Sequence, residues 1–407
     1  MGLNYGKAIL VFYIIPTIYL IMKTNRFETF MDAILAIIIT VLVLKLSQPA
    51  APTMSAVMNM NISYLTYFIC FVIIFNTWHN DHNLFQMVDE IDNRIVFVYA
   101  LLLFVFSLLP YFSTWVALYP EALPAQIMFG LIFLTSNILY NIATYLVKKA
   151  NPYNEELQKI DLKSLKRHVP MIIILIGFAL SLTVYIYGIY ISCLLATACW
   201  FVLAMLGESG IEDSERFEAL FDAIIAIILT IIVLEITMAS AGTWEALFEH
   251  KIEFLAYAIS FIVIFNYWNF NNNLFALVHR IDGKIMWLIG ATMWVLSLIP
   301  YLSTFLAENF NSFVPQFLYG LDFIAVAILS IFTTWALRRA NPGNVALIIA
   351  LDNRHFASTI IIVLIGMLVG YFYYPPAVAI SCLLSILAFW LIPHIRKIAN
   401  KYILEII

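Results

Sequence analysis

The sequence predicts an all-α membrane protein built from two parallel six-helix transmembrane repeats. Of its 407 residues, 63% are hydrophobic and only 11% are charged, whereas soluble domains average about 45–50% apolar and about 25% charged residues. Apolar runs of roughly 20 residues are long enough to cross a hydrocarbon core as helices, which satisfy their own backbone polar groups. The composition therefore excludes a soluble globular fold.

A duplication is visible in the sequence itself. When the 21 residues that begin at Arg26 are aligned with the 21 that begin at Arg216, 12 are identical, and the 190-residue offset continues along the chain. Each copy contains six apolar runs, and an even number of spans gives both copies the same orientation. We predict three regions: an extra N-terminal hydrophobic helix at 1–23, transmembrane repeat 1 at 24–207 and transmembrane repeat 2 at 208–407.

Hydropathy places the spans of the two repeats at matching positions. Those of the first repeat are predicted near 27–46, 59–78, 95–118, 123–147, 169–187 and 189–206. Those of the second repeat are predicted near 217–236, 252–270, 285–306, 314–337, 356–374 and 376–393. A further run at 8–22 is short and contains Pro16, so it either crosses the membrane as an extra helix or lies at the interface.

Basic residues are concentrated on one side of this topology. Of the 21 lysines and arginines, all except Lys7, Lys45 and Lys251 fall on the side where each repeat begins and ends. Because positively charged loops stay in the cytoplasm, both repeats are predicted to begin and end there. Short loops favour a prokaryotic plasma membrane as the location of this multi-pass integral membrane protein.

The sequence carries no indication of an enzyme. It shows no nucleophile, metal-ligand or phosphate-binding motif at workable spacing, and the seven histidines form no repeated ligand pattern. The four cysteines lie inside apolar runs, where a thiol behaves as a small hydrophobe. We therefore expect no catalytic residue, no cofactor, no metal site and no nucleic-acid partner, with the lipid bilayer as the surroundings.

The first span of each repeat carries ionisable residues in its first two turns. These residues are Arg26, Glu28 and Asp32 in repeat 1 and Arg216, Glu218 and Asp222 in repeat 2. Charged side chains are costly in lipid and usually face a bundle interior or a cavity. Arg26 and Asp32 are separated by about 9 Å along a helix and lie on different faces, so each is expected to find its partner on a neighbouring helix. The alternative is an interfacial position, with the arginines extending toward water.

Candidate partners lie at the end of the second span, where the sequence reads WHNDHN in repeat 1 and WNFNNN in repeat 2. Tryptophans also belong to interfacial belts, which is the simpler alternative. The predicted polar network consists of Arg26, Asp32, Trp78, Asp81, His82, Arg216, Asp222, Trp268, Asn271 and Asn272.

Beyond the aspartate, the first helices are aliphatic except for a matched threonine. Steps of three and four residues align one stripe on each helix. The stripes are Ala33, Ile37, Thr40 and Leu44 in repeat 1 and Ala223, Ile227, Thr230 and Leu234 in repeat 2. Threonines in membrane helices commonly donate to the carbonyl four residues earlier, and periodicity alone does not assign either stripe to a pore.

Three motifs carry a resemblance to a known family. The first helix opens with a pattern similar to Arg-x-x-x-Phe-Ser-Asp, continues as a Thr-containing aliphatic run, and is followed by a second helix ending like Trp-x-x-His-His-x-Leu-Phe. The chain resembles the transmembrane protein 175 family of endosomal and lysosomal potassium channels and their prokaryotic relatives. The resemblance covers both repeats and is to the two-repeat form, which implies a homodimer with four repeats around one pore.

The resemblance also implies roles for the stripe residues. A ring of bulky aliphatic side chains would form the pore constriction, and this position falls on Ile37 and Ile227. The remaining stripe residues would line the pore: Ala33, Thr40, Leu44, Ala223, Thr230 and Leu234. The implied activity is a potassium-permeable cation channel whose only ligand is the permeant K+.

The chain departs from the family pattern at two positions of repeat 1 and at four of repeat 2, where Leu220 and Asn272 also replace motif residues. The serine of the motif is replaced by Met31 and Phe221, and the first histidine of the pair is replaced by Asp81 and Asn271. Asp81 would offer a charged acceptor near Arg26, and Asn271 would offer a neutral one near Arg216. The chain contains no TVGYG sequence, so selectivity is expected from a narrow apolar constriction rather than a ring of carbonyls.

A proton-coupled secondary transporter is the alternative function. Transporters usually contain broken helices with Gly or Pro at matched positions, and here Pro110 and Pro300 match within the third spans while the first helices are predicted to be unbroken. Asp322 lies inside an apolar span where repeat 1 has Ile132, so it is a candidate proton or cation site.

One feature at the outer end of the first helices differs between the repeats. Lys45 and Glu235 occupy equivalent positions there. A ring of four repeats would alternate positive and negative side chains at this level, so we predict ion pairs between neighbouring repeats.

Overall fold

The structure is a computed structural model that describes residues 22–88, 90–206, 214–278, 281–344, 347 and 354–388. Within these residues the chain is almost entirely helical, and strand structure is limited to an antiparallel pair of two-residue segments, β1 (Met22–Lys23) and β2 (Glu90–Ile91). The extra helix predicted for 8–22 lies outside the described residues except for its last position. The predicted all-α class is confirmed.

The helices follow the predicted order of spans. The first repeat contains α1 (Thr24–Leu44), α2 (Met54–Met58), α3 (Asn61–Phe85), α4 (Asn93–Ser107), α5 (Leu109–Leu118), α6 (Leu123–Ala150), α7 (Glu155–Lys159), α8 (Leu165–Thr183) and α9 (Gly188–Leu206). The second repeat contains α10 (Ser214–Ile231), α11 (Trp244–Glu249), α12 (Lys251–Phe275), α13 (Gly283–Ser297), α14 (Ile299–Glu308), α15 (Phe313–Ala340), α16 (Arg354–Phe372) and α17 (Ala377–Ala388). In repeat 2 the first helix ends in a 3-10 turn, Ile232–Glu235.

The length and composition of these helices identify a membrane protein. In the described part of the chain, nine helical segments are long and apolar enough to cross a membrane. Shorter apolar segments at Gly188–Leu203, Phe356–Phe372 and Ala377–Ala388 stand at the three other predicted spans. The protein is therefore an all-α, multi-pass membrane protein.

The third span of each repeat is divided in two. Helix α4 ends at Ser107, Leu108 separates it from α5, and Pro110 stands in the first turn of α5. Proline has no backbone N–H to donate and its ring crowds the preceding turn, so it is tolerated at the start of a helix but interrupts a continuous one. Pro300 has the same position in α14. The matched prolines thus mark a break within the span.

The start of α1 is held by contacts with the loop after α3. The hydroxyl of Thr24 donates to the carbonyl of Val88 at 2.8 Å, and β1 pairs with β2 in the register Met22 to Ile91. Asp92 then caps α4 by accepting from the backbone N–H of Ile95 at 3.0 Å. These contacts place the first turn of α1 beside the end of α3, where the predicted polar network lies.

The last two helices of each repeat pack through a glycine. A Cβ atom at Gly177 would overlap the side chain of Ser192, and a Cβ at Gly366 would overlap Ser381 in the same way. Small residues let membrane helices approach closely in this manner. These pairs are related by 189 residues rather than 190, so the predicted offset is wrong by one residue in this part of the repeats.

The two repeats share one core. The ring of Phe75 on α3 meets the ring of Trp287 on α13 edge to face, with centroids 5.0 Å apart, and a Cβ at Gly290 would come within 2.6 Å of the same phenyl ring. About three helical turns away along α3, the hydroxyl of Tyr64 lies 2.8 Å from the hydroxyl of Tyr301 on α14. This packing of α3 on α13 and α14 brings the two first helices, α1 and α10, into contact.

Candidate functional site

An ion pair joins the two first helices. The guanidinium of Arg216 on α10 donates from Nε to Oδ2 of Asp32 at 3.1 Å and from Nη2 to Oδ1 at 3.0 Å. Its third nitrogen, Nη1, lies 2.9 Å from Oε2 of Glu28, one turn earlier on α1. Only 12% of the Arg216 side chain is exposed. The arginine of repeat 2 is therefore compensated by two carboxylates of repeat 1.

The second helix of repeat 1 completes this cluster. Trp78 donates from its indole N–H to Oδ1 of Asp32 at 2.8 Å, and the same ring lies 5.8 Å from the guanidinium of Arg216. The ring of Phe85 is also 5.8 Å from that guanidinium. A buried carboxylate needs both an opposite charge and hydrogen-bond donors, and α3 supplies a donor while α10 supplies the charge.

Asp81 and His82 lie at the edge of this cluster. The carboxylate of Asp81 accepts from the hydroxyl of Tyr99 on α4 at 2.8 Å, and its backbone carbonyl lies 3.5 Å from Nη1 of Arg216. His82 stacks on the ring of Trp78 with centroids 5.2 Å apart, and its Nε2 is 2.8 Å from the amide nitrogen of Gln86. Tyr99 and Gln86 belong to the network but have no sequence motif that would have indicated them.

The equivalent residues of repeat 2 are arranged differently. Trp268 donates to Oδ1 of Asp222 at 2.6 Å, which repeats the contact of Trp78 with Asp32, but Asp222 is exposed. Asn271 donates to the carbonyl of Tyr267 on its own helix at 2.9 Å, and Asn272 is exposed. The sequence predicted that Asn271 would accept from Arg216. This is wrong, because Arg216 turns toward repeat 1.

Arg26 does not reach the acceptor that the sequence suggested for it. Its side chain is exposed, and within the described ranges no carboxylate forms an ion pair with it. Asp81, the predicted acceptor, is fully buried and is held by Tyr99. Arg216 of repeat 2 is thus paired with Asp32 of repeat 1. The other predicted arginine and aspartate, Arg26 and Asp222, are both exposed.

The two first helices leave different faces uncovered. On α1 the exposed stripe runs through Arg26, Phe30, Ala33 and Ile37, while Asp32, Ala36 and Thr40 are buried. On α10 the exposed residues lie on the other flank of the helix. Its exposed stripe includes Ala219, Asp222, Ala226 and Thr230, and the buried positions include Leu220 and Ile224. The two helices therefore bury a common face, which includes Met31 on α1 and the equivalent Phe221 on α10. They differ on the sides of that face, because the flank that α1 covers with Asp32, Ala36 and Thr40 is exposed on α10.

The residues predicted to line the pore are exposed to different degrees on the two helices. Ile37 is 49% exposed and Ile227 is half-buried. Thr40 departs from the predicted stripe because it is fully buried, and its hydroxyl donates to the carbonyl of Ala36 at 3.0 Å. Thr230 is exposed and donates to the carbonyl of Ile227 at 2.8 Å. The other stripe positions are Ala33, exposed; Leu44 and Ala223, half-buried; and Leu234, 72% exposed.

Two further predicted positions lie away from this cluster. Glu235 accepts from the hydroxyl of Thr304 on α14 at 2.9 Å, and it forms no ion pair with Lys45 inside the described chain. Within the single chain Glu235, at the end of the 3-10 turn Ile232–Glu235, is bound by its own repeat. The ion pairs predicted for a ring of four repeats stay a prediction. Asp322 on α15 is 5% exposed, and its Oδ2 has no hydrogen-bond partner among the described residues.

Metal-binding potential is low where the structure describes the chain. In that part no group of three or more His, Cys, Asp or Glu side chains comes close enough together to hold a metal ion. Two of the acidic residues of the cluster, Glu28 and Asp32, instead pair with Arg216. The cluster thus fixes one contact between α1 and α10. Each of these helices also keeps an exposed charged residue at the same end, Arg26 on α1 and Asp222 on α10.

The sequence profile described as endosomal/lysosomal potassium channel TMEM175 matches residues 26–110 and 216–300. There is one match in each repeat, and each contains a first helix together with the tryptophan that bonds its aspartate. The duplication seen in the sequence is therefore a duplication of this family's unit.

Individual relatives support the same assignment. A protein named potassium channel from Chryseobacterium sp. (strain P1-3) is 32% identical over 183 residues, which are 44% of this chain and 94% of that protein. A protein of the same name from Streptomyces collinus (strain DSM 40733 / Tue 365) is 31% identical over 31% of this chain and 66% of its own length. A protein named endosomal/lysosomal proton channel TMEM175 from Danio rerio is 21% identical over 63% of this chain and 59% of that protein.

The first of these relatives aligns over nearly its whole length with less than half of this chain, so its length matches that of a single repeat. Both repeats carry the profile match, and both place the aspartate of the first helix against the tryptophan of the second. On these grounds the chain belongs to the TMEM175 family.

Proposed function

We propose that this protein is a potassium-permeable cation channel that works as a homodimer. In this proposal the pore is lined by the first helix of each repeat, α1 and α10, from both subunits. The observation that carries the proposal is that α1 and α10 are exposed on different flanks, the Arg26 side of α1 and the Asp222 side of α10. A second copy of the chain would bring these two flanks together. The names of the bacterial relatives, both called potassium channels, favour K+ as the permeant ion.

The contact already present inside the chain indicates how a second copy would dock. Arg216 of repeat 2 lies against Asp32 and Glu28 of repeat 1. The exposed Arg26 would meet the partner's Asp222 through the same contact, and the partner's Arg26 would meet Asp222 of this chain. Such a dimer has twofold symmetry and closes a ring of four first helices. Every first helix then has one neighbour on each side.

The constriction is assigned to Ile37 and Ile227. Ile37 is 49% exposed on a membrane helix whose other face is packed against the protein. A ring of isoleucines has no oxygen with which to replace the water of an ion, so conduction depends on a narrow passage that the ion crosses after losing part of its hydration. Acidic residues and few basic ones on the outer side favour cations over anions.

The distribution of basic residues indicates how the proposed channel is oriented in the membrane. Arg26, Arg216 and most other basic residues lie at the end of the bundle where both repeats begin. Positively charged segments stay in the cytoplasm, so the ion-pair cluster would stand at the cytoplasmic mouth of the pore. The bacterial origin of two relatives favours a prokaryotic plasma membrane as the location.

A proton-coupled transporter is the second candidate, and two observations favour it. Asp322 is a buried carboxylate with a partnerless oxygen in the described part of the chain, and the third spans are broken at matched prolines, Pro110 and Pro300. Broken spans and isolated acidic residues are typical of transporters. Neither feature is on α1 or α10, whose helical parts are continuous from the start to the threonine.

Ion flux from purified protein in liposomes separates the two functions. A channel should pass K+ down its electrochemical gradient without a proton gradient, and Ile37→Asn combined with Ile227→Asn should raise the flux because a polar ring is hydrated more easily. Ile142→Asn, at an exposed position of α6, is the matched control. Flux that saturates, requires a proton gradient and disappears in Asp322→Asn would establish the transporter, and flux unaltered by the paired substitution would remove the isoleucines from the pore.

A further inference from the structure

A polar cavity of about 290 Å³ lies in repeat 1 between α3, α6, α8 and α9. It is on the face of α3 opposite Trp78, because its lining residues Asn76, Asn80 and Asn83 recur at helical spacing on that side. Helix α6 contributes Asn137 and Asn141. The cavity is thus separated from α1 and α10 by the thickness of a helix and is no part of the proposed pore.

The charge of the cavity is positive. Lys166 and Arg167, in the first turn of α8, line it, and its lining includes no carboxylate. Arg167 is held in place by donating to Oδ1 of Asn141 and, at 2.6 Å, to the hydroxyl of Thr144. These contacts use two of the five N–H groups of a guanidinium. The rigid remainder of the group is available to an anion.

Two deeply buried side chains in the lining carry polar atoms without a partner. Asn76 is 5% exposed and His79 is 4% exposed. Oδ1 of Asn76 and Nδ1 of His79 have no hydrogen-bond partner in the residues that the structure describes. Buried polar atoms are rarely left in this condition, so a ligand that brings hydrogen-bonding groups would complete the site. An amide oxygen requires a donor such as a hydroxyl.

At the equivalent position in repeat 2 the cavity is much smaller and mostly apolar. The residues that correspond to Asn80 and Arg167 are Phe270 and Phe356. Their rings meet edge to face with centroids 4.9 Å apart, and the space left there is about 60 Å³. Asn137 is replaced by Ala327. Asn76 has a counterpart in Asn266, which lines the smaller space and also has an Oδ1 without a partner among the described residues. What is specific to repeat 1 is the larger volume together with Asn80, Asn137 and the charge of Arg167, since the fold accepts an apolar filling at these positions.

We propose that this cavity binds a phosphate-bearing ligand with hydroxyl groups, taken either from the headgroup of a membrane phospholipid or from solution. Arg167 and Lys166 would hold the phosphate, and the asparagine side chains with His79 would bind its ester oxygens and hydroxyls. The volume lies just below the usual range for ligand pockets, about 300–1,000 Å³, which suits a small group. Its position at the basic end of the bundle suits a headgroup, since basic pockets between membrane helices bind anionic lipids.

Binding can be tested on the full-length protein in a detergent without phosphorus. Short-chain phosphatidylglycerol, inorganic phosphate and short-chain diacylglycerol are titrated separately, and the dissociation constant is obtained from the rise in unfolding temperature. We expect wild-type protein to be stabilised by one of the first two probes and not by diacylglycerol. Arg167→Gln should weaken that binding about tenfold or more, because a charge-assisted hydrogen bond is lost.

A second variant distinguishes a loss of binding from a failure to fold. Asn80→Phe combined with Arg167→Phe copies the packing that repeat 2 already contains, so it should fold and should lose binding altogether. Lys149→Gln, an exposed residue of α6 that is not in the lining, is the control and should bind like wild type. Stabilisation by phosphatidylglycerol alone identifies a lipid headgroup, and equal stabilisation by inorganic phosphate identifies a soluble ligand. Absence of stabilisation in wild type, or equal stabilisation in all variants, overturns the site.

Discussion

Arg216 on the second repeat and Asp32 on the first form a bidentate ion pair, with N to O distances of 3.1 and 3.0 Å. Their side chains are only 12% and 6% exposed. Removing one partner of a buried ion pair typically costs about 3–5 kcal/mol, because the other charge is left without compensation. Glu28 keeps a carboxylate oxygen 2.9 Å from Arg216, which places the loss of Asp32 at the lower end of that range.

We therefore expect Asp32→Asn to lower the free energy of unfolding by about 3 kcal/mol, measured by denaturant or thermal unfolding in detergent micelles. Adding Glu28→Gln should increase the loss, because Arg216 then has no carboxylate. Glu249→Gln, at an exposed position of α11, serves as the control and should change stability by no more than about 0.5 kcal/mol. A result for Asp32→Asn that equals the control would show that the ion pair contributes nothing to stability.

The partner of Arg216 could not be predicted from the sequence. Both repeats carry an arginine and an aspartate at the same positions, so the pattern is the same whether the pair forms within a repeat or between repeats. The sequence did predict that the partners lie on different helices, because Arg26 and Asp32 are six residues apart. Which helix supplies the partner depends on the packing of α1 against α10, and this is a property of tertiary structure.

The same limit applies to burial along the first helices. Hydropathy located the spans because a run of about 20 apolar residues has one stable state in a bilayer. It could not distinguish Thr40 from Thr230, which have nearly identical neighbours, although one is fully buried and the other is exposed. The breaks at Pro110 and Pro300 were foreseeable from the residue type, and Tyr99 was not, since an isolated tyrosine in an apolar span is ordinary.

The proposed dimer contact predicts the effect of reversing a charge. Arg26→Glu would place a carboxylate against the partner's Asp222 at two symmetric contacts, and like charges at an interface disfavour association. We expect the dimer dissociation constant to rise about tenfold, as measured by analytical ultracentrifugation in detergent. Arg26→Glu combined with Asp222→Arg restores opposite charges and should recover most of the affinity.

The control for this experiment is Lys149→Glu, which makes the same change of net charge on an exposed turn of α6. Dimerisation of this variant should match that of wild type. If Arg26→Glu assembled as well as the control, or if the double variant were no better than the single one, the pairing of Arg26 with Asp222 would be wrong. The four-helix ring would then need another contact.

Gly290 allows a second test of the packing between the two repeats, because it lies against the ring of Phe75. Replacing a helical glycine by alanine ordinarily gains about 1 kcal/mol, but here the added methyl would lie 2.6 Å from the ring of Phe75. That ring cannot move freely, since it packs against Trp78 and Trp287. Overpacking typically costs about 1–3 kcal/mol, so we expect a net destabilisation of about 1 kcal/mol for Gly290→Ala.

The matched control is Ala100→Gly, because Ala100 is the equivalent residue of repeat 1 and is exposed. It should be destabilised only by the loss of helix propensity. Phe75→Leu combined with Gly290→Ala should cost less than the sum of the two single changes, because the smaller side chain makes room for the methyl group. Additive effects in thermal unfolding would mean that Phe75 is not what excludes a larger residue at this position.

The two threonines of the first helices give the last prediction, which concerns conduction. Thr40 is fully buried and its hydroxyl donates to the carbonyls of Ala36 and Ile37 at 3.0 and 2.9 Å. Thr230 is exposed and donates only to the carbonyl of Ile227. A hydroxyl oxygen has two lone pairs, so an exposed threonine that donates to its own helix can still accept from the water of a passing ion.

Thr230→Val should therefore change the K+ flux of reconstituted protein several-fold, whereas Thr40→Val should leave it close to wild type and lower only the stability, by about 1 kcal/mol. The two substitutions are chemically identical and occupy equivalent places in the repeats, so each is the control for the other. Equal effects on flux would mean that the two positions face the ion path alike in the dimer. In that case Thr40 must leave its buried position when the subunits assemble, because its hydroxyl cannot reach a lumen from where it now lies.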